Sequence, residues 1–201
     1  MGLHEMFRKP GTSDDWHGRS AEELWTAFQS GNRGAFSELF LRYYEQLFRY
    51  GMNFSSGSEV VKDSIQKLFF RLWQKRTLLS RPRSVRGYLF VSLRRILLRL
   101  HERETSRGER NARYLEQEDE AFVTIEEEIV REEQRKRRME LYRKSVEVLS
   151  PRQKEALLLR VDEGMSNGEI AKIMGISDKR VRNLIYEATR RIREEIYYLT
   201  E

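Results

Sequence analysis

The chain has 201 residues, 38 Lys and Arg against 32 Asp and Glu, a net charge of +6 and an isoelectric point near 9.6, a balance that favours a polyanionic partner. It has no cysteine, which excludes a disulfide framework, a thiolate zinc site and cysteine catalysis and suits a reducing compartment. Its three histidines (His4, His17, His101) are scattered, against a histidine metal cluster, and no apolar run approaches membrane-spanning length.

In chain order, residues 1–19 lack an apolar core and read as a flexible tail, not a signal peptide. Ser20 and Glu23 form a capping box that opens a helix carrying Leu24, Trp25, Ala27 and Phe28, ended by Gly31. A second helix is predicted over 34–52, with Phe36, Leu39, Phe40, Tyr43, Leu47 and Tyr50 at helical spacing. A Ser-rich turn precedes a third over 59–74. A polar loop closed by Pro82 leads to a fourth over 84–104. The prediction is an all-α fold of two small helical domains. The first spans 20–104 and a charged linker spans 105–139. The second, over 140–201, ends in a helix-turn-helix. Within the linker, residues 116–133 hold nine acidic side chains against one Arg, so that stretch reads as solvated and partly helical at best.

The second domain opens with Ser150-Pro151-Arg152-Gln153, a capping box with Pro at the first helical position. Ala156, Leu157, Leu158 and Val161 are its expected apolar positions, and Gly164 its stop. Ser166 and Glu169 form another capping box. Then come Ala171, small enough for two helices to meet, Gly175 for a left-handed turn, and Val181 as the plug of the following helix. Ser177 is the expected N-cap of that helix. Lys179, Arg180, Arg182, Asn183, Tyr186, Arg190 and Arg191 crowd it with groups that bind phosphate or base edges. A hairpin built only for packing would more often carry mixed charge there, so DNA binding is expected.

Two further faces stand out. On the third helix, Val61, Ile65, Leu68, Phe69 and Leu72 make one stripe, leaving Phe70 on a wet face with Asp63, Lys67 and Gln74, and Gln66 at its edge. An aromatic flanked by Asp63, Gln66 and Lys67 suits an anchor for a protein partner better than an idle surface residue. On the fourth helix, Val85, Leu89, Leu93, Ile96 and Leu100 form the core stripe. Tyr88, Arg95 and Arg99 share another face, with Arg81, Arg83 and Arg86 just upstream. Basic groups beside an aromatic suit a single DNA strand, through phosphate pairing and base stacking. No phosphate loop, nucleophile elbow or metal-ligand spacing is present. No enzyme activity, metal or cofactor is expected.

Taken together these pieces resemble bacterial RNA polymerase sigma factors of the small extracytoplasmic-function (ECF) group. VVKDSIQKLFFRLW is similar to that family's polymerase-binding helix, whose Asp-x-x-Gln-x-x-Phe-x-x-x-Trp pattern falls on Asp63, Gln66, Phe69 and Trp73. GYLFVSLRRILLRL is similar to the promoter-opening segment. LSPRQKEALLLRVDEGMSNGEIAKIMGISDKRVRNLIYEATRRIRE resembles the C-terminal domain from end to end. Departures are local: Lys67 stands where Glu is frequent, and Arg180 where Thr is usual. The resemblance implies that residues 20–104 bind core RNA polymerase and the −10 element, and that 140–201 bind the −35 element. It implies a linker threading toward the polymerase active centre, where an acidic segment would imitate nucleic acid. It also implies a cytoplasmic protein controlled by an anti-sigma factor. Two rival readings are a stand-alone helix-turn-helix regulator binding operator DNA as a dimer, and an adaptor binding only protein through the Phe70 face. A regulator needs a ligand pocket, receiver site or dimer seam, and no residue pattern supplies one.

Overall fold

The computed structural model describes residues 16–55, 57–106 and 144–200. The expected tail lies outside them up to residue 15. The expected linker does too, except that residues 105 and 106 complete a helix. Among the described residues all regular structure is helical, in two compact units divided between Ala112 and Arg113.

In the first unit α1 (Ala21–Gln29) starts at Ser20, whose side chain accepts from the Glu23 amide while the Ser20 amide donates to the Glu23 carboxylate at 2.8 Å. That bond, with the Ser20 hydroxyl, holds the Glu23 pKa below the ordinary carboxylate value. Gly31, at φ +91°, turns the chain into α2 (Arg33–Gly51), capped by Asn32. Next come α3 (Ser58–Lys75), a 3₁₀ turn (Arg76–Leu78) and α4 (Val85–Ser106). The four helices enclose an aromatic-rich core. Leu24, Trp25, Phe28, Phe36, Leu47, Tyr50, Phe69 and Phe90 are all at most 1% exposed. Phe28 stacks on Phe36 at 5.3 Å between ring centroids, and Tyr50 meets Phe90 at 5.0 Å. The α3 stripe is buried as predicted. The α4 stripe is wider than predicted, because Phe90 and Leu97 join it while Leu100 is half-exposed. Helices α2 and α3 approach closely at Gly51, where an added Cβ would overlap the Val61 Cγ1 methyl.

The second unit has residues 144–147 helical, then α5 (Pro151–Val161), α6 (Asn167–Met174) and α7 (Asp178–Thr200). Both capping boxes form, Ser150 with Gln153 and Ser166 with Glu169. Helix α7 packs on both α5 and α6 around Ala156, Leu159, Ile170, Ile173, Val181, Leu184 and Ala188. Of the expected apolar positions on α5, Ala156 is buried, Leu157 and Leu158 are half-buried and Val161 is 66% exposed, while Leu159 takes the core position. The run Ala-Leu-Leu-Leu has no period of its own. The burial register is set by α7 lying across it.

Candidate nucleic-acid and partner interfaces

On α3 two adjacent phenylalanines part company. Phe69 is 1% exposed and packs edge-on against Phe36 and Phe40, whereas Phe70 is 37% exposed. Asp63, Gln66 and Lys67 are exposed beside it. Trp73 belongs to the core side, 5.0 Å from Phe36, with the Arg76 guanidinium 4.7 Å over its ring. The Asp-x-x-Gln-x-x-Phe-x-x-x-Trp pattern is therefore mixed. Its polar members look outward and its aromatics hold the helix to the bundle, leaving Phe70, outside the pattern, as the protruding apolar group.

The segment between α3 and α4 is held at both ends. Arg76 Nη1 donates to the Trp73 carbonyl at 2.9 Å, the Gln29 amide donates to the Leu79 carbonyl, and the Ser84 hydroxyl accepts from the Gly87 amide at 3.1 Å. Arg81 and Arg83 are exposed on it, and Arg81 borders a shallow cleft lined also by Trp16, Glu22 and Glu23. Along α4, Arg95 and Arg99 are exposed. Tyr88 is half-buried, its ring edge-on to Trp25 at 5.3 Å, so only part of the ring is open to a base. Arg86 is not brought to this row. It stands on the core side of α4, half-buried, with its guanidinium 5.7 Å from the Phe90 ring centre. The reason is the 100° step of the helix, which puts residues 86 and 88 about 200° apart.

In the second unit the turn between α6 and α7 is short. Gly175 takes φ +67° and ψ +39°, the left-handed conformation that a Cβ disfavours. The Ser177 hydroxyl accepts from the Arg180 amide at 3.2 Å, capping α7 and leaving its hydrogen free to donate. With Val181, Leu184 and Ala188 buried, Lys179, Arg182, Asn183, Tyr186 and Arg190 share the outward face, and Tyr186 is 71% exposed. Arg180 is exposed but on a flank, within about 20° of Arg191 around the helix axis. Arg191 reaches back, its Nη1 donating to the Val148 carbonyl at 3.2 Å, and Arg190 Nε lies 3.6 Å from Glu194. On the outward face Arg182 is already engaged: its Nη1 lies 2.6 Å from Asp178 Oδ2. The residue reading missed this pair, although an Asp four positions before an Arg is a recognised helical pairing.

An exposed basic helix presented by a tight helix-turn-helix defines a DNA-binding domain. Residues 139–192 match the model of the family described as sigma-70, region 4. None of the curated proteins matches the chain. Among solved structures, CnrH in complex with the cytosolic domain of CnrY is 22% identical, over 87% of this chain and 96% of that one, with a TM-score of 0.58. The sigma factor RpoE, in complex with the anti-sigma factor NepR from Bartonella quintana, is 18% identical, over 81% and 96%, with a TM-score of 0.60. At these identities the likeness is one of fold. The chain thus matches the sigma-70 region 4 model over residues 139–192 and is similar in fold to the solved sigma factor RpoE.

Proposed function

We propose that this chain is an ECF-type sigma factor: it binds core RNA polymerase, directs it to promoters and acts without catalysing a reaction itself. The observation that carries the reading is the pairing of two surfaces on one chain. One is the exposed Asp63, Gln66, Lys67 and Phe70 face of α3. The other is the basic outward face of α7 in a region 4 domain. A stand-alone regulator has no use for the first, and an adaptor has none for the second.

In this reading Phe70 and Gln66 enter a groove on the polymerase clamp, with Asp63 and Lys67 pairing across its rim. Arg81, Arg83, Arg95 and Arg99, with the open part of Tyr88, hold the unpaired −10 strand, phosphates on the arginines and a base against the ring. Arg86 contributes long-range charge rather than contact. The α7 face lies in the major groove of the −35 duplex: Lys179, Asn183 and Tyr186 stand nearest the bases, and Arg182 offers its fork to guanine O6 and N7. Ser177 and the first amides of α7 take a phosphate, and Arg180 and Arg190 add charge at the flanks. The charged linker, residues 105–139, joins the two functions. The protein works in the cytoplasm, and an anti-sigma factor is its expected regulator, as one is the partner of RpoE in that complex.

A pull-down with core RNA polymerase, with and without promoter DNA, tests this. The chain is expected to bind core polymerase without DNA and to retain promoter DNA strongly only in the ternary complex. Tight, sequence-specific DNA binding by the chain alone, with no affinity for core polymerase, would favour the dimeric regulator.

A further inference from the structure

We infer that Asp178 is a specificity-positioning residue, one that holds the Arg182 guanidinium in the orientation with which it reads a base. The inference rests on the −35 reading above and extends it to a residue that faces no DNA itself. Asp178 is the first residue of α7, and its Oδ2 accepts from Arg182 Nη1 at 2.6 Å, one turn on along the helix. Its other oxygen, Oδ1, stands over the first turn of the neighbouring α6: a Cβ built on Gly168 would lie 4.0 Å from it. The Asp178 carboxylate is thus held to Arg182 at the edge of α6, with the Asp178 and Arg182 side chains 46% and 58% accessible.

An unrestrained arginine carries many rotamers, and ordering it on a base costs entropy. A guanidinium has five N–H donors in a planar fork. Engaging one donor of Nη1 with Asp178 fixes the plane and leaves another edge of the fork for a bidentate contact with guanine. The pairing also explains an acidic side chain at the start of a helix whose outward face is otherwise basic. As a phosphate-binding surface it would be better without Asp178. As a reading surface it is better with it.

These two roles move in opposite directions when Asp178 is changed, which makes the test decisive. The probe is duplex DNA with a randomised −35 element, selected on the full chain bound to core RNA polymerase. Binding to a fixed non-specific duplex is measured alongside. In the wild type one position should favour guanine, and Arg182→Ala should erase that preference, a loss of about tenfold or more. Asp178→Ala should weaken the same preference about fivefold. That is between the effect of an exposed i,i+4 ion pair and that of a charge-assisted hydrogen bond in a dehydrated interface. Affinity for the non-specific duplex should stay equal or rise, because an acid has gone. Asp178→Asn, whose amide oxygen still accepts an N–H, should recover much of the preference. If Asp178→Ala keeps the full guanine preference and binds every sequence more tightly, Asp178 only damps charge and the inference fails. If Arg182→Ala itself leaves the preference unchanged, the underlying reading of Arg182 fails first, and the two failures are distinguishable.

Discussion

Phe69 and Phe70 differ by one step of α3 and by everything that matters energetically. Phe69, 1% exposed and in ring contact with Phe36 and Phe40, is a core residue. Phe69→Ala is expected to lower unfolding stability by about 3–5 kcal/mol, read from denaturant titration. Phe70, 37% exposed, should cost the fold little when truncated. In the proposed complex, losing a buried interface aromatic removes about 2 kcal/mol or more. Phe70→Ala should therefore weaken binding to core polymerase at least about tenfold while the melting temperature stays nearly unchanged. Equal losses of stability and binding would place Phe70 in the fold and not in an interface. The split between these residues is legible in the sequence because α3 has one clean apolar stripe. The Asp178–Arg182 pair is harder to see, since the spacing permits the contact but only the folded chain shows that Arg182 adopts it.

At the scale of elements, caps and helix approaches set what the faces can do. The Ser166 and Glu169 capping box starts α6, the helix that packs against α7. Ser166→Ala should cost about 1 kcal/mol, measured as a lower midpoint of denaturation, and should weaken DNA binding only through stability. Gly51 allows α2 and α3 to meet. Gly51→Ala would drive a methyl into the stiff, β-branched Val61, and a loss of about 1–3 kcal/mol is expected from overpacking. Helix α4 holds Arg95 on a surface that the core does not need. Arg95→Glu should leave core binding intact and block open-complex formation, followed by permanganate reactivity of unpaired thymines; normal opening by this variant would remove α4 from strand capture. Element boundaries were largely readable from caps and glycines, since each of those signals is local. Burial within α5 was not, because Leu157, Leu158, Leu159 and Val161 offer several apolar faces and only packing by α7 selects among them. Where Arg86 lies was equally hidden: a charge close in sequence to a basic row need not share its helical face.

For the whole molecule, the described residues form two helical units, each with a surface whose chemistry is unlike the other's. One presents an aromatic in a polar frame and a row of arginines beside a half-open tyrosine. The other presents a basic helix in a segment that matches the sigma-70 region 4 model. In the proposed function both serve one event, promoter-directed initiation by a polymerase that this chain alone makes selective. The most direct measurement is transcription by purified core RNA polymerase on a library of randomised duplex templates, with the transcripts sequenced from their 5′ ends. With the chain added, start sites should cluster downstream of a shared pair of elements spaced as −35 and −10. The clustering should vanish with Phe70→Ala at limiting polymerase, and the upstream element alone should change with Arg182→Ala. Start sites that stay as scattered as with core polymerase alone, while the chain shifts DNA by itself, would contradict the account.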